Sequence, residues 1–230
     1  FMQLISKQKG ITLIEMMIAM LLGLIVSGTI ITIFITTVFA STAAIKMVKL
    51  NQELRASMML MAKDIRRAGY WSDPTTPSPY LDTIEVVGTN CILLAYDDPS
   101  GNDFIGYKLE NGSVKRVSSN SVLADCNDGT WNELTDVDTD NVTQLDFIMS
   151  VRLIGDDATV CSSGDCNIEI GGASSDLQDE LDDIAADSDR EIPSGYIAEV
   201  KIILSGESKS DAALRRTMTE TIRIRNNGLI

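Results

Sequence analysis

The stretch KGITLIEMMIAMLLGLIVSGTIITIFI (Lys9–Ile35) decides the reading of this chain. From Met16 to Ile35 it runs twenty residues without a charge. At 1.5 Å per residue such a helix crosses roughly 30 Å of hydrocarbon. A secretory signal peptide has a shorter apolar core and a small residue at a cleavage site after it. Here the small residue, Gly10, precedes the apolar run. Cleavage at Gly10 would leave the membrane helix on the mature protein. One acid, Glu15, stands at the edge of the span, where a carboxylate is expensive.

Working outward, the helix continues past the apolar run. No proline occurs before Pro74. Ala43, Met47, Leu50, Leu54, Met58, Met61, Ile65 and Ala68 recur at steps of three and four, a single helical stripe. Lys46, Lys49, Glu53, Lys63 and Arg67 lie off it. Gly69 and the run SDPTTPSP (Ser72–Pro79) end the helix. The pattern therefore predicts one helix over residues 11–68, about 85 Å long. Residues 11–38 form its transmembrane half and residues 39–69 its amphipathic half, packed on a globular domain.

Charge divides the chain the same way. Residues 1–69 carry a net +5 and residues 70–230 a net −19, within a total of −14. The acidic balance argues against a nucleic-acid partner, because phosphate binding needs a basic face. There is no histidine, so the commonest general base and zinc ligand are missing. No P-loop, dinucleotide fingerprint or G-x-S-x-G elbow occurs, and no cofactor is implied. The expectation is a structural subunit, not an enzyme.

Residues 70–230 read as a β-rich domain. Strand-like runs are TIEVVGTNCILLAYD (Thr83–Asp97), VTQLDFIMSVRLI (Val142–Ile154), GYIAEVKIILSG (Gly195–Gly206) and TMTETIRIRN (Thr217–Asn226). FIGYKLENGSVKRV (Phe104–Val117) holds an Asn111-Gly112 hairpin signal between two more. About six strands make an antiparallel sheet with one face on the long helix, an α+β architecture.

Four cysteines, Cys91, Cys126, Cys161 and Cys166, suggest two disulfides in an oxidising compartment. They permit three pairings. The favoured one is Cys161–Cys166, enclosing the tight-turn residues SSGD, with Cys91–Cys126. Two acidic stretches stand out. DVDTDN (Asp136–Asn141) has alternate acids like the start of a calcium loop, but lacks the glycine and later glutamate of an EF-hand. A solvated loop is the competing reading. SSDLQDELDDIAADSDRE (Ser174–Glu191) reads as a short acidic surface helix, a solvated insertion or a docking surface for a basic partner.

KGITLIE (Lys9–Glu15) with the apolar run behind it resembles the leader-peptide site of type IV pilins and type II secretion pseudopilins. Gly10, Thr12, Leu13, Ile14 and Glu15 match, whereas Ile11 stands where phenylalanine is usual. LMAKDIRRAGYW (Leu60–Trp71) and ETIRIRN (Glu220–Asn226) resemble the PilW type of minor pilin, with GspJ-like pseudopilins as relatives. The resemblance implies a pilin-like fold and removal of residues 1–10 by a prepilin peptidase that cuts between Gly10 and Ile11. It implies methylation of the new amine at Ile11. Glu15 would then pair with the cationic amine of a neighbouring subunit, since attraction in a low-dielectric bundle offsets desolvation. The competing reading has Glu15 merely mark the membrane interface. The implied partners are other minor pilins, the major pilin, the peptidase, the inner-membrane assembly platform and, before assembly, lipid. The implied location is the inner membrane with a periplasmic domain, then the pilus. The function expected is a minor pilin of the priming or tip complex. The alternatives are a GspJ-like pseudopilin, or an adhesin that uses the pilin export route.

Overall fold

The computed structural model describes residues 10–73, 75–76, 78–80, 84–153, 167–170, 175–176 and 196–225. The chain divides into two compact units, Phe1–Lys46 and Met47–Ile230, and the division falls inside one helix, α1 (Leu13–Arg67).

In the first unit α1 is apolar and unburied. Every large hydrophobic side chain from Ile11 to Phe39 is exposed. The helix is long and apolar enough to cross a membrane. Its threonines do not spoil that character. Thr29, Thr32, Thr37 and Thr42 donate their hydroxyls to the carbonyls of Val26, Gly28, Ile33 and Val38, at 2.7–2.9 Å. A polar group satisfied inside its own helix costs little in lipid.

In the second unit the helix becomes one-sided. Leu50, Leu54, Met58, Met61, Ile65 and Ala68, from the stripe read from the sequence, are buried, and Ala62 is buried beside them. Beyond Arg67 the chain turns at Gly69, whose φ is 75°. The Gly69 N–H donates to the Ala95 carbonyl at 2.9 Å, tying the helix end to the sheet.

Among the described residues ten strands follow: β1 (Glu85–Val87), β2 (Cys91–Ala95), β3 (Phe104–Glu110), β4 (Ser113–Ser119), β5 (Asn132–Glu133), β6 (Asp140–Leu153), β7 (Asn167–Ile170), β8 (Ser175–Asp176), β9 (Tyr196–Ser208) and β10 (Asp211–Arg223). They form two antiparallel sheets, not the single sheet expected. The first has the order β5-β4-β3-β2-β1-β8 and the second β10-β9-β6-β7. The stretch Thr83–Asp97, read as one strand, is a hairpin. Gly88, Thr89 and Asn90 turn the chain so that Val87 faces Cys91. Three turn-forming residues inside an apolar run outweigh the run's β character. The hairpin at Asn111-Gly112 forms where the sequence placed it, with φ of 54° and 76°. Both values lie in the left-handed region that a two-residue hairpin turn requires.

One core joins α1 to both sheets. Leu54, Met61 and Ile65 share it with Ile92, Leu94 and Ile105 from the first sheet and Phe147, Met149, Val200 and Ile202 from the second. Strand β2 is buried throughout because it serves two cores. Ile92 and Leu94 belong to the core with the helix, while Cys91 and Leu93 join Val117 and Leu123 in a smaller one. The alternation of a strand's side chains produces this division.

Cys161, Cys166 and most of Ser174–Glu191 lie outside the described residues. Of the acidic stretch, Ser175–Asp176 is described, and it pairs with β1 as a strand rather than starting a helix.

Candidate functional site

The N-terminal motif forms the start of α1. Gly10 and Ile11 precede the helix and are exposed. Thr12 caps it: the Glu15 N–H donates to the Thr12 carbonyl at 3.1 Å and lies 3.4 Å from its hydroxyl oxygen. The sequence Thr12-x-x-Glu15 thus has the spacing of a capping box. An acid in the first turn also suits the positive end of the helix dipole. The Glu15 carboxylate is exposed and has no side-chain partner among the described residues. Gly10, Ile11 and Glu15 are thus exposed together at the start of α1.

The sequence reading missed a second site. Asp64 is only 2% exposed, on the face of α1 that also buries Met61 and Ile65. Its Oδ1 accepts the Tyr96 hydroxyl at 2.9 Å, and its Oδ2 accepts the Tyr107 hydroxyl at 2.5 Å. Arg116 Nη2 lies 3.2 Å from the same Oδ2, and Arg116 Nε donates to the Tyr107 oxygen at 3.1 Å. Burial, then the Asp64 charge, push both tyrosines above their ordinary value of 10. Burial alone would lower the Arg116 guanidinium, but Tyr107 and Asp64 hold it above its ordinary value. No proton leaves this cluster near neutral pH. It acts as a polar latch between the helix and the first sheet. Its signal in the sequence was an acid three residues from Met61 and four from Ala68, inside the apolar stripe.

A third cluster surrounds the acidic stretch Asp136–Asn141. Lys49 on α1 reaches Asp136 Oδ2 at 3.2 Å and the Thr139 hydroxyl at 2.8 Å. The Asp138 N–H donates to Asp136 Oδ1 at 3.0 Å. Of the acids in this stretch, Lys49 thus pairs with Asp136. Among the described residues no group of three or more acids or cysteines could hold a metal. Glu53 accepts the Asp136 N–H. Its other oxygen and Oδ2 of Asp140 are buried without a hydrogen-bond partner. The Glu53 pKa is raised, first by burial; the Asp136 N–H opposes this, and Asp140 adds to it. Two facing carboxyl groups resist ionising together.

Cys91 and Cys126 form a disulfide with a Cα–Cα distance of 6.5 Å. It ties β2 to the loop before β5. Lys108 secures the same loop, donating to the Cys126 carbonyl at 3.0 Å and standing 4.5 Å over the Trp131 ring.

Comparison with known proteins bears on both units. A family model described as the prokaryotic N-terminal methylation motif matches residues 5–31. A model described as prepilin peptidase-dependent protein B matches residues 43–224, most of the chain. No curated protein and no solved structure gave a match. The first model covers the motif and the unburied apolar helix; the second covers the helix stripe, the Asp64 latch and both sheets. The open glycine, the apolar helix and the domain behind it are thus parts of one design, and the chain belongs to the prepilin peptidase-dependent protein B family of type IV pilin-like, membrane-anchored proteins.

Proposed function

We propose that this protein is a minor pilin, a structural subunit of the priming or tip complex that starts a type IV pilus. One observation carries the reading: behind Gly10 stands a helix whose large apolar side chains from Ile11 to Phe39 are all exposed. Such a surface needs lipid first and like helices afterwards. Prepilin peptidase cuts between Gly10 and Ile11, and the new amine of Ile11 is methylated. Glu15 pairs with the amine of a neighbouring subunit in the helix bundle. The partners are other minor pilins, the major pilin and the assembly platform. The domain from Met47 onward stands in the periplasm before assembly and on the fibre tip after it. No enzymatic step is assigned to it.

The PilW-type assignment rests on LMAKDIRRAGYW (Leu60–Trp71), which contains both the latch acid Asp64 and the turn at Gly69. The pseudopilin alternative shares the same processing chemistry and differs in the machine served. Mass spectrometry of the protein from its native membrane tests the processing. The expected mature chain begins at methylated Ile11, and Gly10→Val yields only the longer precursor. Normal mature protein from Gly10→Val overturns the site. Deletion of the gene decides the machine. Loss of pili with intact secretion supports the minor pilin, whereas intact pili with lost secretion supports the pseudopilin.

A further inference from the structure

A cleft of about 920 Å³ opens at the C-terminal end of α1, lined by Lys63, Arg66, Arg67, Tyr70, Asp97 and Arg225, among others. It gathers four cations and one acid, three of the cations from the last turns of α1 and the fourth, Arg225, from the acidic remainder of the chain. The helix dipole accounts for basic residues in the last turn of a helix. It does not account for Arg225, which follows β10.

The cations are not equally engaged. Arg66 pairs with Glu220 at 3.4 Å. Arg67 donates to the Asp97 carbonyl at 3.3 Å and lies 4.1 Å over the Tyr96 ring. Asp97 is itself occupied, its Oδ2 accepting the Ser72 N–H at 3.2 Å. Lys63 and Arg225 are exposed and have no ion-pair partner among the described residues. Beside them Tyr70, 42% exposed, offers an apolar wall.

We propose that this cleft docks an extended, carboxylate-rich peptide segment of a partner protein. The spacing favours a peptide over a single anion. The Cβ atoms of Lys63 and Arg67, four residues apart on a helix, stand about 6 Å from each other. Alternate side chains of an extended chain repeat at about 6.6 Å. Acids at every second position would therefore meet successive cations. Guanidinium groups suit carboxylates because two parallel N–H donors match two oxygens. The volume lies at the upper end of the usual range for ligand sites, ~300–1,000 Å³, ample for several side chains. The partner's being another pilin rests on the assembly role proposed above; recognition of an acidic peptide by the cleft does not.

The test uses the full chain in zwitterionic detergent and a fluorescein-labelled alternating Glu–Ser octapeptide, read by anisotropy. Saturable binding is expected that weakens with added salt, while the matching Lys–Ser peptide does not bind. The double variant Lys63→Glu/Arg225→Glu should weaken binding at least tenfold. Both positions are exposed, so its thermal melt should match the wild type. Absence of saturable binding to wild type overturns the proposal, as does equal binding by the double variant. Tighter binding of inorganic phosphate or a heparin tetrasaccharide than of the peptide also overturns it, since the cleft would then be a general polyanion site. None of these readouts depends on pilus assembly, so the failure of the cleft and of the minor-pilin reading are separable.

Discussion

The hydroxyl of Tyr107 lies 2.5 Å from Oδ2 of Asp64, joining a strand of the first sheet to the buried face of α1. With Tyr96 and Arg116 it completes a shell of donors around one carboxylate. Removing the acceptor leaves three donors directed at a void. Asp64→Ala should therefore destabilise the domain by roughly 3 kcal/mol, whereas Tyr107→Phe should cost about 1 kcal/mol. Urea denaturation of the detergent-solubilised chain measures both. A loss for Asp64→Ala no larger than for Tyr107→Phe would show that Asp64 is not the hub.

The same tyrosines set an alkaline limit. Their folded pKa values are raised, so their contribution is complete below the unfolded value of 10 and is lost as pH rises beyond it. Stability followed upward from pH 9 should fall from about pH 10 in the wild type. The fall should be shallower in Tyr96→Phe/Tyr107→Phe. Identical profiles would disprove the link.

Glu53 acts in the opposite range. The folded Glu53 pKa stands above its ordinary 4.5. Its contribution is fully present below that value and is lost as pH rises through the folded pKa. Glu53→Gln keeps an acceptor for the Asp136 N–H and brings a donor toward Asp140. It should stabilise the domain at pH 7.5 by about 1 kcal/mol and less, or not at all, at pH 4. Thermal melts at the two pH values check this, and a uniform destabilisation would refute it.

The disulfide Cys91–Cys126 spans 35 residues. On the loop-entropy account, Cys91→Ser/Cys126→Ser should lower stability by up to about 4 kcal/mol. The double substitution removes this bridge alone. A shift in the urea midpoint measures the loss. An unchanged midpoint would mean that Lys108 and Trp131 alone hold the loop.

Two physical roles are open to Glu15, and a pair of variants separates them. A helix-capping role survives in Glu15→Gln, because glutamine serves in a capping box. A charge-pairing role does not survive it. Both Glu15→Gln and Glu15→Ala should be cleaved normally and should fail equally in co-purification with partner pilins. Wild-type assembly by Glu15→Gln alone would transfer the role to capping.

What the sequence determined by itself is what depends on neighbours along the chain. The apolar run, the stripe from Met47 to Ala68, the turn at Asn111-Gly112 and the glycine before Ile11 are all local patterns. Periodicity and turn chemistry suffice to read them. The hairpin at Gly88–Asn90 was local too, yet the apolar residues around it masked its turn signal. What only the tertiary structure decided depends on residues distant in sequence. Asp64 stands in register with the buried stripe, but only the packing of Tyr96, Tyr107 and Arg116 around it makes it a hub. Only the long ladder of β6 on β9 separates one sheet from two. Likewise nothing within Asp136–Asn141 shows that Lys49, on the helix, pairs with Asp136 and Thr139. Burial and charge partners are properties of the folded chain, because a side chain's surroundings are set by which segments pack against it.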